Sequence, residues 1–131
     1  MSYKLLVVDD EESILFAMGD YFRLHGCEVD CAREMEEAEA LLAHVRYSAV
    51  IADLRLTGIY GTEGLQLISD VRQRCPGTRI ILLTAYGSTE IEAEVRRRGA
   101  HVLLHKPKPL AEIAQIVFAL LEKDHEPTLS A

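Results

Sequence analysis

The 131-residue chain has no apolar run near the roughly 20 residues that cross a bilayer as a helix, so no membrane segment is expected. It has no signal-peptide core either, because the apolar stretch at residues 5–8 is short and runs straight into Asp9. Cys27, Cys31 and Cys75 are odd in number and lack CxxC spacing. That speaks against a disulfide framework or a zinc site, and for buried free thiols in a reducing cytoplasm. Cations are also scarce, with Lys plus Arg at 14 against 21 Asp plus Glu and a net charge of -7. Binding to nucleic acid needs a cationic footprint to displace counterions, so direct contact with it is not expected. The one basic cluster, Arg96-Arg97-Arg98, suits the solvated last turn of a helix, where cations complement the helix dipole. Linkers and low-complexity segments are absent. A single domain over residues 1–122 is expected, followed by a flexible polar tail at 123–131 that contains Pro127.

What is present is an alternation, five times over, of short apolar runs with longer amphipathic ones. Residues 5–8 are apolar on both faces, as in a strand covered on two sides. Ile14, Met18, Tyr21, Phe22 and His25 then recur at helical spacing, with Gly26 as a stop. Residues 28–31 suit a strand near an edge, and Met35, Ala38, Leu42 and Val45 mark a second helix. A strand over residues 48–52 leads into Asp53. Leu65, Ile68, Val71 and Cys75 mark a third helix, ended by Pro76-Gly77. Residues 79–83 read as an interior strand ending at Thr84, and Ile91 and Val95 give a fourth helix a thin apolar stripe closed by Gly99. Residues 102–104 form a fifth strand. Leu110, Ile113, Ala114, Val117, Leu120 and Leu121 form a strongly amphipathic last helix.

Strands alternating with helices imply right-handed crossovers and a doubly wound parallel α/β sheet, whose ligands sit at the carboxyl ends of the strands. The residues there are Asp9 and Asp10, Asp53, Thr84 and Lys106. Two carboxylates about 4 Å apart repel by about 4 kcal/mol at an effective dielectric of 20. A fold that keeps such a cluster offsets the repulsion, here with a hard divalent cation and the Lys106 ammonium. An Asp carboxylate is also a competent nucleophile toward a phosphoryl group. The cation, Lys106, and the Thr84 hydroxyl with nearby backbone N–H groups would then cover the phosphoryl oxygens. Singly, each residue has a plainer reading: Asp10 as a helix N-cap, Thr84 as a turn residue, Lys106 as a solvated side chain. Their shared place at one end of one sheet makes the set specific.

In order along the chain, Val7-Val8-Asp9-Asp10-Glu11, Asp53 with Leu54-Arg55-Leu56, Leu83-Thr84-Ala85, Gly99-Ala100 and Lys106-Pro107 resemble the receiver domains of two-component response regulators. The resemblance runs from about Lys4 to Leu121. It implies a flavodoxin-like (βα)5 fold with strand order 2-1-3-4-5. Further, it implies that Asp53 accepts phosphate from a sensor histidine kinase or a phosphotransfer protein. Magnesium (or manganese) would be held by Asp10, Asp53 and the backbone carbonyl of Arg55, with Asp9 acting through water. Thr84, Ala85, Lys106 and Leu103 would make up the phosphoryl-binding and switch set, and Lys106–Pro107 the family's cis peptide. Homodimers or protein partners would use the face of the fourth helix, fifth strand and fifth helix. Ile116 and Phe118 either widen that face or pack at the core's edge, and Phe16 lies opposite the first helix's buried stripe.

Three positions depart from the family pattern. Leu103 stands where an aromatic residue is usual. The loop of residues 57–64 lacks the usual proline at Thr57 and is longer by a few residues. Arg55 and Tyr86 occupy the positions that tune how fast phosphate is lost. Two other functions compete with the phosphorylated switch. One is a receiver-like interaction module that signals without phosphate, which the intact acidic set disfavours. The other is an enzyme such as an aspartate-dependent phosphatase, whose nucleophile lies in a DxD arrangement, whereas this first strand ends Asp9-Asp10-Glu11. The expectation is therefore a phosphoacceptor signalling domain rather than an enzyme acting on outside substrates. His105 reads as a strand-end side chain near the acidic site.

Overall fold

A computed structural model of the chain describes residues 3–53, 62–85 and 88–123. Five strands alternate with five helices: β1 (Lys4–Val8), α1 (Glu12–Leu24), β2 (Glu28–Ala32), α2 (Met35–His44), β3 (Ala49–Asp53), α3 (Thr62–Arg74), β4 (Arg79–Thr84), α4 (Thr89–Arg98), β5 (Val102–His105) and α5 (Leu110–Lys123). The strands form one parallel sheet in the order β2-β1-β3-β4-β5.

Side-chain alternation along the strands divides the core into two layers. Leu6, Val8, Val50, Ala52, Ile80 and Leu82 point to one face, where α2, α3 and α4 cover them with Leu42, Ile68, Val71 and Val95. Leu5, Val7, Ile51, Ile81 and Leu83 point to the other, beneath Met18 and Phe22 of α1 and Ile113 and Val117 of α5. Because both faces are covered, β1, β3 and β4 are apolar without a break, and their ends are the places where polar side chains emerge.

The buried face of α1 is rotated from the expected stripe. It centres on Leu15, Met18, Gly19 and Phe22, while Ile14 and Tyr21 are half-buried on the side toward α5. At Gly19 a Cβ would meet the Arg23 guanidinium at 3.0 Å and the Cys31 sulfur at an ordinary contact distance of 3.7 Å, so this face of α1 lies against edge strand β2. His25 is exposed, with Nδ1 2.8 Å from the Tyr21 carbonyl and its ring stacked on Tyr21. Of the three free cysteines only Cys27 is buried; Cys31 on the edge strand and Cys75 at the end of α3 are half-buried. Ile116 and Phe118 pack against the core, and Phe118 meets the Phe22 ring edge-on at 5.7 Å. Phe16 is exposed.

Helix ends follow local chemistry. The Ser88 hydroxyl accepts the Ile91 N–H at 3.1 Å to begin α4. Gly99 ends it at φ 113, with N–H groups of Gly99 and Ala100 returning to Arg96 and Val95. Lys123 completes the last turn of α5, one residue past the sequence-based boundary, where its cation suits the carbonyl end of the helix. The tail from residue 124 lies outside the described residues.

On the side remote from the carboxyl ends of the strands, the buried Tyr47 hydroxyl donates to Asp30 at 2.7 Å and the Tyr47 carbonyl accepts from the Thr78 hydroxyl. Burial, then the Asp30 carboxylate, pushes the Tyr47 phenol well above its ordinary range. Tyr47→Phe is expected to cost about 1 kcal/mol at neutral pH. A raised phenol stabilises the folded chain below the ordinary tyrosine pKa, and that stability is lost as pH rises past it. The advantage of native chain over variant should therefore shrink by about 1 kcal/mol per pH unit above about pH 10. Urea denaturation of both proteins between pH 8 and about 11 measures it.

Candidate functional site

The strand order places the site. β1 and β3 are neighbours, and the chain leaves them toward opposite sides of the sheet, opening a crevice at their carboxyl ends. Asp9 and Asp10 follow β1, Asp53 ends β3, Thr84 ends β4, and Lys106 follows β5. One carboxylate oxygen from each of Asp9, Asp10 and Asp53 lies within 4.8 Å of the others.

Lys106 reaches across two strands into this group. Its Nζ donates to Asp53 Oδ2 at 3.1 Å and to Asp9 Oδ2 at 3.4 Å. Its backbone N–H donates to the Thr84 carbonyl at 2.7 Å, which fixes where the side chain starts. Asp9 is 1% exposed, and its second oxygen accepts the Glu11 N–H at 2.9 Å. Burial raises the Asp9 carboxyl above its ordinary value; the Glu11 N–H and the Lys106 charge oppose the rise, and the Asp53 charge adds to it. For Lys106, burial alone would weaken the ammonium. The hydrogen bond and charge of Asp53, then those of Asp9, more than offset this and leave the pKa raised. The cation is therefore held in its charged form between two carboxylates.

Asp10 is not a helix cap: α1 is preceded by Glu11, with no side-chain hydrogen bond to its first turn. The exposed Asp10 carboxylate instead joins the cluster from the solvent side. Three carboxylates against one ammonium leave an excess of negative charge among oxygen donors, which suits a hard divalent cation. Thr84 is buried and Ala85 exposed at the end of β4. His105, opposite Thr84 in the register, is exposed. Leu103 is buried among Leu82, Val95 and Ile91 beneath α4, away from solvent. The Lys106–Pro107 bond is cis. Arg55, Tyr86 and the loop of residues 57–61 lie outside the described residues, as do the side chains of Thr62 and Glu63.

Two features were not foreseen. The Glu11 N–H contact holds Asp9, the innermost carboxylate; its only sequence signal is an Asp three residues before the start of α1. In addition, an apolar cavity of about 330 Å³ lies beside the site between α1 and α5, with Ile14, Met18 and Ile113 on its walls and Lys106 at its border. It joins residues some ninety positions apart, so no local pattern announces it.

The model of the response regulator receiver domain matches residues 5–118. The chain belongs to this family. As a receiver domain it is a signalling domain of two-component regulators. It is 35% identical over 107 residues to the response regulator protein FleR of Pseudomonas aeruginosa, a match covering 82% of this chain and 22% of that protein. Among solved structures, it is similar to a CheY-like receiver domain protein from Methanospirillum hungatei, with TM-score 0.88 and 23% identity over 95% of this chain and 97% of that one. A response regulator from Burkholderia pseudomallei, solved with a phosphorylated aspartic acid, a calcium ion and citrate, gives TM-score 0.79 at 24% identity, covering 94% and 73%. These structural likenesses show the shared receiver fold. The chain spans about a quarter of the length of FleR and of several other curated relatives it matches, and about half to three fifths of others.

Removing the cation from this receiver site should expose the repulsion it offsets. Lys106→Met leaves Asp9 buried beside Asp53 with no cationic partner, and is expected to cost about 2 kcal/mol without divalent cations. Adding Asp9→Asn to it should recover part of that loss. Chemical denaturation of the native chain, both single variants and the double variant measures the coupling.

Proposed function

We propose that Asp53 accepts a phosphoryl group from a sensor histidine kinase or phosphotransfer protein in a magnesium- or manganese-dependent reaction, and that the added charge switches the domain between two conformations. The observation that carries this reading is the convergence of Asp9, Asp10 and Asp53, with Lys106 Nζ 3.1 Å from Asp53. In the transfer, an Asp53 oxygen forms a bond to phosphorus as the donor's phosphorus–nitrogen bond breaks. The imidazole, protonated on its other ring nitrogen, leaves with the electron pair and so ends neutral. Asp10, Asp53 and the Arg55 carbonyl would hold the divalent cation, with Asp9 reaching it through water. When bound, that cation supplies charge neutralisation at one phosphoryl oxygen.

Lys106 would then shift its hydrogen bond from the Asp53 carboxylate to a phosphoryl oxygen. The Thr84 hydroxyl and Ala85 N–H would serve another oxygen. Phosphate adds about -1.5 to -2 charges, enough to bias an existing equilibrium through these contacts. Arg55 and Tyr86, two positions after Asp53 and Thr84 in sequence, would set the phosphate lifetime. Leu103 fills the switch position without a polar tip. The domain would promote only its own phosphorylation and dephosphorylation, act in the cytoplasm, and engage a second copy or an output partner through α4, β5 and α5. Signalling without phosphate is disfavoured because it gives no reason to keep a buried carboxylate pair.

Incubation with a small-molecule phosphoryl donor and millimolar magnesium tests the proposal. The expected product is a single covalent phosphoryl adduct that hydroxylamine cleaves. It should be absent with a chelator and in Asp53→Asn. An adduct that resists hydroxylamine, or that persists in Asp53→Asn, contradicts it.

A further inference from the structure

α4 rests on a narrow apolar base, with Val95 fully buried and Ile91 half-buried. Arg98, in its last turn, supplies a second attachment. Its Nε donates to Glu94 Oε2 at 2.7 Å, which fixes the guanidinium plane across the helix end. Its Nη1 then reaches α3, donating to the Leu65 carbonyl at 3.3 Å and to Ser69 Oγ at 3.4 Å. The Ser69 hydroxyl donates to the same Leu65 carbonyl at 3.4 Å. Glu94 is lowered from its ordinary value, first by the Arg98 hydrogen bond, so the pair stays charged.

Leu65 lies in the first turn of α3, the helix entered from the chain that follows Asp53. Its side chain packs into the same core layer as Ile91 and Leu103. Arg98 therefore ties the last turn of α4 to the part of α3 nearest in sequence to Asp53. Leu103 contributes apolar packing there and carries no polar group that can exchange partners.

We infer that Arg98 is the coupling element by which a change at Asp53 reaches α4, through the first turn of α3. The inference rests on the phosphoacceptor reading above. A shift of the Leu65 carbonyl on phosphorylation moves or releases the guanidinium fork, and α4 follows because, among the described residues, its apolar base is only Val95 and Ile91. By linkage, a partner that binds and orders α4 shifts the equilibrium at Asp53 by the same factor.

Amide hydrogen exchange on the full chain tests this in two arms. Without a phosphoryl mimic, Arg98→Ala should speed exchange in α4 and at the Ser69 amide, the helical donor to the Leu65 carbonyl, by about tenfold, the factor expected from losing one charge-assisted hydrogen bond. Arg97→Ala, which removes a largely exposed pairing with Glu94 within α4, should leave α3 unchanged. If Arg98→Ala leaves the Ser69 amide unaffected, the coupling is overturned. In the second arm, magnesium and beryllofluoride should alter α4 exchange in the native chain. In Arg98→Ala the bound fluoride signals should persist and the α4 response disappear. Arg98→Lys, which keeps a charge for Glu94 but lacks the planar fork, should lose most of the response while staying folded. An undiminished α4 response in these variants overturns the inference. A native chain that binds no beryllofluoride overturns the phosphoacceptor reading, and the coupling with it; the first arm separates that case from failure of the Arg98 tie alone.

Discussion

Lys106 donates to Asp53 at 3.1 Å and to Asp9 at 3.4 Å, and this shared ammonium allows two adjacent strands to end in carboxylates on the same side of the sheet. Asp9 is buried and its carboxyl is already pushed upward by desolvation. With no cation beside it, Asp53 would raise it further. Two carboxylates against one ammonium already leave one negative charge, and Asp10 at the solvent edge adds a second. That residual charge is what suits the site to a divalent cation and then to a phosphoryl group, whose own charge needs the same cations.

The rest of the fold holds this balance in place. The order β2-β1-β3-β4-β5 sets the ends of β1 and β3 side by side and brings β4 and β5 next in line. The Lys106 N–H to Thr84 carbonyl bond closes the last gap between strands, so the lysine enters from a fixed point. The continuous apolar faces of β1, β3 and β4 leave only their ends polar, which concentrates the chemistry there. Between α3 and α4, the Arg98 contacts with Leu65 and Ser69 add a polar tie to the apolar packing of Val95 and Ile91.

Much of this was legible in the sequence because each signal is local and periodic. Strands buried on both faces read as unbroken apolar runs, and Asp9, Asp10, Asp53, Thr84 and Lys106 each end or follow one. The helix spanned by Leu110 and Leu121 was clear from spacing alone. The phase of α1 was not, because which of its apolar residues lie innermost depends on how the helix packs against its neighbours rather than on its own pattern. Nor were contacts between distant positions legible. The Glu11 N–H to Asp9 bond, the cavity bordered by Lys106, and the Arg98 fork on Leu65 each depend on backbone placement that no spacing rule encodes. Arg98 was read as part of a solvated basic run; Arg96 and Arg97 fit that description, with exposed pairings to Glu92 and Glu94, while Arg98 turns inward.

The central claim is that the acidic cluster, offset only in part by Lys106, is a divalent-cation site built around Asp53. A magnesium titration followed by amide chemical shifts tests it most directly. The account predicts saturable changes centred on Asp9, Asp10, Asp53 and Lys106, lost in Asp10→Ala while the fold is retained. Absence of any change up to tens of millimolar magnesium, or changes that persist in Asp10→Ala, would contradict it.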